Sequence, residues 1–501
     1  MNLLNSITHR GTPKRHHPWP RVDVDEEGWQ QAIDLLAQGR CTLLGLWGDS
    51  PAVHMALLGE KADIAVLTYT CKDGKYPSVA ARHPPAIRPE RAIRDLFGLD
   101  AEGAPDTRTW LDLGFWNVRH PLGKRAPARK PKPYEFLPAE GEGLHQIPVG
   151  PVHAGIIEPG HFRFTANGER VVRLEQRLGY VHKGIESLMT NAPLDFAAKL
   201  AARTSGDSTV AYAYAFAQAA EAALQVTPPQ RATYLRALAA ELERLANHFG
   251  DIGAICNDAS FALMHAQCGI LRERTLRAAE ICFGHRLMMD IIVPGGVARD
   301  IASKGVTAVR TLLAEVRKVF PRLVELYDNT ASLQDRTVTT GILRRDYARQ
   351  FGAGGYVGRA SGRDFDARRD LSYAPYGELK FEVPVLEAGD VNARVWIRIR
   401  EVEQSLSLVE QILDVLPAGK TRVAVKSSGR ICEGMGLAEA FRGDVLVWLR
   451  LDGKGRVARC HLRDASWFQW PLLEVAIEDN IVADFPLCNK SFNCSYSGHD
   501  L

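Results

Sequence analysis

Nine cysteines, at positions 41, 71, 256, 268, 282, 432, 460, 488 and 494, are the residues of this chain best suited to metal or redox chemistry. Zinc and iron–sulfur centres usually take thiolates from closely spaced pairs such as Cys-x-x-Cys, because two ligands must reach one centre from a single turn. No such pair occurs here. Cys488 and Cys494 come nearest, with five residues between them, and that spacing matches neither kind of centre. The cysteine count is odd, and the N-terminus MNLLNSITHRGTPKRHHPWP has no apolar signal-peptide core. Both features point to reduced thiols in a cytoplasmic setting, most of them packed as small hydrophobes. The glycine-rich run FGAGGYVGRASG (351–362) lacks the strand–GxGxxG–helix context and the GK[ST] ending of a phosphate loop, so it reads as a packed irregular loop. No HExxH, GxSxG or EF-hand pattern is present. By residue type alone, the chain has no cofactor site.

The elements that would position any site are legible in the periodicity. At 501 residues the chain exceeds one compact core, and about two or three domains are expected. A composition of 46% hydrophobic and 24% charged residues excludes wholesale disorder, and a net charge of +3 gives no support to nucleic-acid binding. No run of about 18 residues is free of charged or strongly polar side chains. No transmembrane helix is therefore expected, and a membrane role must run through partners. Residues 25–39 read as a helix, with Asp25 as N-cap, Trp29, Ile33 and Leu36 at helical spacing, and Gly39 as the stop. Strand-like runs at 41–48, 52–59 and 62–69 complete a small α+β domain over 1–122. A linker rich in proline and basic residues spans 123–145. Its run from Lys124 to Lys132 reads either as a solvated tether or as a surface laid against an acidic neighbouring subunit. From 146 to 501 the pattern is mainly helical. Tyr234, Leu235, Leu238, Leu242, Leu245 and Phe249 share one helix face, and similar periodicity runs through 266–290, 302–327 and 398–415. Strand hairpins are expected near 147–177, 379–398 and 443–464.

A family resemblance covers nearly the whole chain. PERAIRDLFGLDAEGAPDTRTWLDLGFWNVRHPLG (89–123) resembles the 30-kilodalton subunit of NADH-quinone oxidoreductase, complex I. Seven later segments resemble the 49-kilodalton subunit and, more closely, the large subunit of formate-hydrogenlyase and hydrogenase-4 complexes, the group 4 nickel–iron hydrogenases. They are GPVHAGIIEPGHFRF (150–164), RLGYVHKGIE (177–186), GDIGAICNDASFA (250–262), PGGVARD (294–300), VGRASGRDFDARRD (357–370), EAFRGD (439–444) and LRDASWFQWP (462–471). Fusion of the two subunits is itself typical of the hydrogenlyase-type branch. The resemblance implies an α+β fold, with a small N-terminal domain joined to a mainly helical, hydrogenase large-subunit-like domain carrying β hairpins.

Nickel–iron hydrogenases hold their metals with two Cys-x-x-Cys pairs, whose soft thiolates bridge both metals. At the place of the first pair this chain reads Arg203-Thr204-Ser205-Gly206-Asp207-Ser208, with serine at both ligand positions. Aligning the second pair on DFPLCNKS (484–491) puts Ser495 and Gly498 at the other two positions. A one-residue slip would put Cys494 and Ser497 there instead. On either register at least three of four thiolates are missing, and a hydroxyl has too high a pKa and too hard an oxygen to replace one. The resemblance therefore implies no metal and no cofactor bound by this chain.

Other positions of that cavity persist. Glu186 in KGIE matches the family's proton-relaying carboxylate, with Lys183 in place of its arginine; a lone carboxylate on such a turn equally suits an ion pair. Arg442 matches the arginine overlooking the site, and Asp207 and His161 would extend the relay. Quinone-reducing relatives hold the quinone head between a histidine on the first hairpin and a tyrosine. His161 matches the histidine, whereas Gly206 takes the tyrosine position, leaving Tyr212 or Tyr214 to reach the cavity or simply to pack. The role implied is that of a peripheral subunit on the cytoplasmic side of the inner (cell) membrane, inactive alone, in a complex-I-like oxidoreductase. An iron–sulfur cluster in a partner resembling the 20-kilodalton subunit would deliver electrons to a quinone or another small acceptor, beside antiporter-like integral membrane subunits. A non-catalytic scaffold and a true nickel–iron hydrogenase are the alternatives. Serines at 205 and 208 predict purified protein without stoichiometric nickel and without nickel-dependent C-terminal shortening. Elemental analysis and intact mass check both, and about one nickel per chain would overturn the reading.

Overall fold

The computed structural model describes residues 5–9, 11–153 and 157–501. In the first domain, strands Thr12–Lys14 (β1), Arg21–Val24 (β2), Thr42–Asp49 (β3), Ala52–Leu58 (β4) and Ile64–Thr70 (β5) form one sheet in the order β1-β2-β5-β4-β3. β2 is parallel to β5, and the other neighbours are antiparallel. Helix Glu26–Ala37 (α1) starts where Asp25 accepts the Gly28 N–H at 2.9 Å, the N-cap its sequence announces. β3 to β5 are apolar at nearly every position because both faces of the sheet are covered. One face packs against α1 and helix Ile87–Phe97 (α2); the other carries Leu44, Trp47, Ala56, Leu58, Ile64 and Val66 against the second domain.

The second domain opens with an antiparallel sheet, Leu144–Val149 (β6), His161–Asn167 (β7) and Arg170–Arg177 (β8). Helices Ile185–Met189 (α3), Leu194–Ala202 (α4), Thr209–Leu224 (α5), Gln230–Asp258 (α6), Ala262–Phe283 (α7) and Ser303–Asn329 (α8) follow. After a short helix Gly355–Ala360 (α9) and the long Val391–Val415 (α10) comes a second sheet, Cys432–Ala440 (β9), Gly443–Leu451 (β10) and Val457–Arg463 (β11). Helices Ser466–Ala476 (α11), Phe485–Phe492 (α12) and Tyr496–Asp500 (α13) end the chain. α6 is the axis of the bundle. Its expected face is buried, and so are Arg236, Glu241 and Arg244 beyond it, because α7, α10 and α12 surround it. α5 lies directly on β9. A Cβ at Gly434 would stand 2.2 Å from the Ala219 carbonyl oxygen, and one at Gly436 2.2 Å from that of Ala215. Alanines on the helix and glycines on the strand are what allow the contact.

The domains share a core between the first sheet and β9–β11. Trp47 stacks on His461 with ring centroids 4.9 Å apart and tilts against Trp448 at 5.7 Å. Arg450 forks onto Asp49 at 2.5 and 2.8 Å. The linker is extended yet adheres: Tyr134 accepts from Arg91 at 2.9 Å, and Glu175 accepts the Leu137 N–H at 2.8 Å. Of its basic run, Arg129 pairs with Asp112, while Lys124, Arg125, Lys130 and Lys132 are exposed.

Three sequence expectations need correction. The hairpin near 379–398 is absent: 379–390 carries no strand, and α10 begins at Val391, capped by Asp390. The alternating apolar residues suggested a strand, but Gln411 and Gln404 of α10 accept the Lys380 and Glu382 N–H groups, so a helix side supplies what a strand neighbour would. The helix expected over 266–290 stops at Phe283, where Gly284 turns left-handed with φ 76°. The glycine-rich run 351–362 is packed, as expected, but contains the regular turn α9. The α5–β9 contact predicts that Gly436→Ala destabilises the protein by about 2 kcal/mol through overpacking. Gly269→Ala, in α7 with open space around its Cβ, should be neutral or slightly stabilising. Denaturant midpoints of the two variants check the contrast.

Candidate functional site

Arg442 lies in the two-residue turn between β9 and β10. A second stretch of backbone crosses this turn. A Cβ at Gly355 (φ 56°) would stand 2.3 Å from the Arg442 carbonyl carbon, and one at Gly443 (φ 129°) 2.8 Å from Gly354. The glycine run is thus a crossing point for two chains rather than a phosphate loop. Gln469 locks it by donating to the carbonyls of Gly354 at 3.0 Å and Arg442 at 2.7 Å.

Only 3% exposed, the Arg442 guanidinium needs a partner. It forks onto Asp207, Nη1 to Oδ1 at 2.8 Å and Nη2 to Oδ2 at 2.5 Å, and its Nε donates to the Asn493 carbonyl. Burial by itself would raise the Asp207 pKa, but Arg442 and the hydroxyls of Ser205 (2.7 Å) and Ser208 (3.3 Å) hold it below the usual carboxylate range. Ser205 and Ser495 lie 2.9 Å apart, oxygen to oxygen. Since Ser205 gives its proton to Asp207, Ser495 is the donor between them. Ser495 also caps α13, accepting the Gly498 N–H at 2.9 Å. Beneath them Asp464 accepts from the Tyr212 hydroxyl at 2.8 Å. A cavity of about 120 Å³ opens beside this cluster, its wall including Gly206, Asp207, Glu243, Asn247, Arg272 and Met288. Gly206 is exposed, with nothing within 4 Å of an added Cβ.

Comparison with known proteins gives this arrangement its context. Residues 22–132 match the family model for the respiratory-chain NADH dehydrogenase 30 Kd subunit, and residues 260–431 that for the 49 Kd subunit. Formate hydrogenlyase subunit 5 of Escherichia coli (strain K12) is 33% identical, the match covering 85% of this chain and 77% of that protein. Hydrogenase-4 component G of the same strain is 33% identical, over 90% of this chain and 80% of the relative. The chain belongs to the complex I and membrane-bound hydrogenase subunit family. Among solved structures, one chain of the membrane-bound sulfane sulfur reductase, an archaeal respiratory membrane complex, superposes on this family member with a TM-score of 0.68 and 26% identity, covering 72% of this chain and 99% of that one.

The family's nickel–iron centre does not fit the residues this member carries. Of the four ligand positions, Ser205 and Ser495 are hydrogen-bonded to each other, and Ser208 faces Asp207. Gly498 has no room for a ligand: a Cβ there would lie 2.6 Å from Asp464 Oδ2 and 2.9 Å from Ser495 Oγ. The structure sets Ser495 and Gly498, the first of the two registers, against the 205–208 segment and its floor. Cys494 is turned toward Gln469, and burial pushes its thiol up.

Not every expected site residue joins the cluster. Glu186 is 5% exposed and bound by Arg459 at 2.8 Å, the His461 ring at 2.9 Å and the Leu462 N–H at 3.0 Å. Burial would raise its pKa, but Arg459 and His461 bring it down to about 2, which favours the ion-pair reading over the proton relay. Lys183 is spent elsewhere, donating to the carbonyls of Arg203 and Thr204 at the end of α4. His161 packs on Phe136 of the linker (4.9 Å) and accepts from Arg163 at 3.3 Å; burial lowers its pKa. The hairpin histidine that meets the C-terminal segment is His153, 3.4 Å from the Tyr496 hydroxyl. Ala154 to Ile156 of the same motif lie outside the described residues. Tyr212 forms the site floor through Asp464, whereas Tyr214 packs and donates to the Ala374 carbonyl. Sequence reading missed Asp464 and Glu243. Asp464 carried a signal in its Asp-x-Ser spacing before α11, where it accepts the Ser466 N–H; Glu243 had none.

Glu186→Gln should leave Arg459 buried without its counter-charge and cost about 3 kcal/mol. Because the folded pKa is depressed, the Glu186 contribution is present above the unfolded value, about 4.3, and is lost as pH falls toward 2. The stability difference between wild type and variant, followed by denaturant melts, should shrink on acidification.

Proposed function

We propose that this chain is the peripheral redox subunit of a membrane-bound, complex-I-like oxidoreductase, and that the Asp207–Arg442 site serves a small electron acceptor where hydrogenases hold nickel and iron. The observation that carries this reading is the conversion of the ligand positions into a hydrogen-bonded Ser205–Asp207–Arg442–Ser495 cluster that borders an open cavity at Gly206. The chain needs an electron source, which we assign to an iron–sulfur cluster in a partner resembling the complex I 20-kilodalton subunit. No helix among the described residues is long and apolar enough to cross a membrane. Membrane attachment, on the cytoplasmic side, then falls to antiporter-like integral subunits.

The acceptor is a quinone or another small molecule. The separation of His161 from the Gly206 position, and the absence of a tyrosine there, favour an acceptor held by Asp207, Arg442 and the cavity wall. A scaffold role is the second reading, favoured by the Ser205–Ser495 bond that closes the former metal position.

Purification from gently solubilised membranes should recover an iron–sulfur protein and membrane subunits together with acceptor-dependent turnover. Asp207→Asn loses the counter-charge of Arg442 but keeps a side-chain oxygen to accept from it, so it should be less stable yet still assemble, and lower that turnover by about tenfold, or about 1.4 kcal/mol in barrier. Recovery of this chain alone would overturn the complex. Undiminished turnover in assembled Asp207→Asn would leave the scaffold reading.

A further inference from the structure

Glu186 is tied to Arg459 and His461 and is not in the wall of the Asp207 cavity, so an acceptor reduced in that cavity draws its protons from another group. We infer that Glu243 supplies that group, as the proton donor of the cavity it shares with Gly206 and Asp207. The inference rests on the functional reading above and adds the proton-carrying residue to it.

Glu243 is on α6, 7% exposed, and contributes to the wall of the cavity. Its oxygens accept the N–H groups of Val210 at 2.7 Å and Ala211 at 3.1 Å, the first turn of α5. Asn247, one turn further along α6, donates to the carbonyls of both Asp207 and Glu243, tying the two segments side by side. Among the described residues no guanidinium forks onto Glu243. Arg442 is committed to Asp207, and Arg286, after α7, to Glu273 at 2.7 and 2.9 Å. The charged groups facing Glu243 are therefore Asp207 from the segment before α5, Arg244 on α6 itself, and Arg272 and Arg286 across the cavity. Burial, helped by the Asp207 charge and opposed by the two N–H groups and Arg244, raises its pKa to about 8. It is a neutral acid at pH 7 that meets solvent through the cavity.

The step balances simply. Electrons reach the acceptor from the partner's iron–sulfur cluster, so the acceptor is reduced and the cluster oxidised. The O–H bond of Glu243 breaks, a bond from that proton to the reduced acceptor forms, and the glutamate anion takes a replacement proton from hydronium or buffer acid of the bulk solvent, relayed through the cavity with no hydroxide left behind. The donor form exists below the folded pKa and is lost as pH rises through about 8.

The test uses the intact complex with Glu243→Gln and Glu243→Asp, assayed for acceptor reduction against pH, and infrared difference spectra in light and heavy water. Glu243→Gln should assemble and lose about 100-fold in turnover. Its residual rate should lack the decline that wild type shows above about pH 8. Glu243→Asp should keep a pH-dependent limb at a shifted position. Wild type should show a protonated-carboxyl stretch at pH 7 that Glu243→Gln lacks. Unchanged turnover and pH profile in assembled Glu243→Gln, or no such stretch in wild type, would overturn the assignment. If Glu243→Gln fails to assemble, the wild-type infrared titration and the Glu243→Asp profile decide. If wild type reduces no acceptor while the stretch is present, the redox reading falls and Glu243 is left as a proton-binding group without that role.

Discussion

A guanidinium buried to 3% exposure cannot be left unpaired, and the Arg442–Asp207 fork that satisfies this constraint organises the site around it. It joins three distant pieces of chain: the 205–208 segment, the β9–β10 turn and, through Asn493, the C-terminal segment. A metal held by thiolates from both ends of the domain would make the same cross-link with coordinate bonds. Here oxygen and nitrogen make it, extended by Ser205–Ser495 and Tyr212–Asp464. Such a pair adds little net stability, since two charges must be desolvated to form it, but removing either partner is expensive. Its consequence is geometric. Asp207 is held at the cavity edge with its charge retained.

Two glutamates show how environment divides the work among identical side chains. Glu186 and Glu243 are buried to similar extents, 5% and 7% exposed, yet shift in opposite directions, to about 2 and about 8. Glu186 faces Arg459 and His461 at the seam between the domains. Glu243 has backbone N–H groups and the like charge of Asp207. A cation bound directly to the carboxylate favours the anion; burial that outweighs more distant cations favours the acid. The first makes an architectural tie, and the second is the group to which our proposal gives the proton. The tie is continuous with the shared core, since His461 binds Glu186 on one side and stacks on Trp47 of the first sheet on the other.

Much was legible in the chain before any tertiary structure. The Asp25 cap, the apolar runs of the first sheet and the Tyr234–Phe249 face are local patterns, and each became the element it announced. That no Cys-x-x-Cys pair occurs was equally plain, because ligand chemistry depends on residue type. The register of the last pair was undecided in sequence, since one residue moves it; the contact between Ser495 and Ser205 favours the first register. Periodicity misled at 379–398, where alternation looked like a strand and the partner proved to be the side of a helix.

What tertiary structure alone decided is which charges meet. Glu186 and Arg459 are separated by more than 250 positions, as are Ser205 and Ser495, and no spacing rule connects them. The amino-acid sequence by itself determined most of the element types and the family, because these depend on local pattern and residue chemistry. The protonation of each carboxylate depends on desolvation and on charges brought close only when distant segments pack. For that reason our proposal places the proton-bearing residue of the site at Glu243, where no motif pointed, and not at Glu186, where one did.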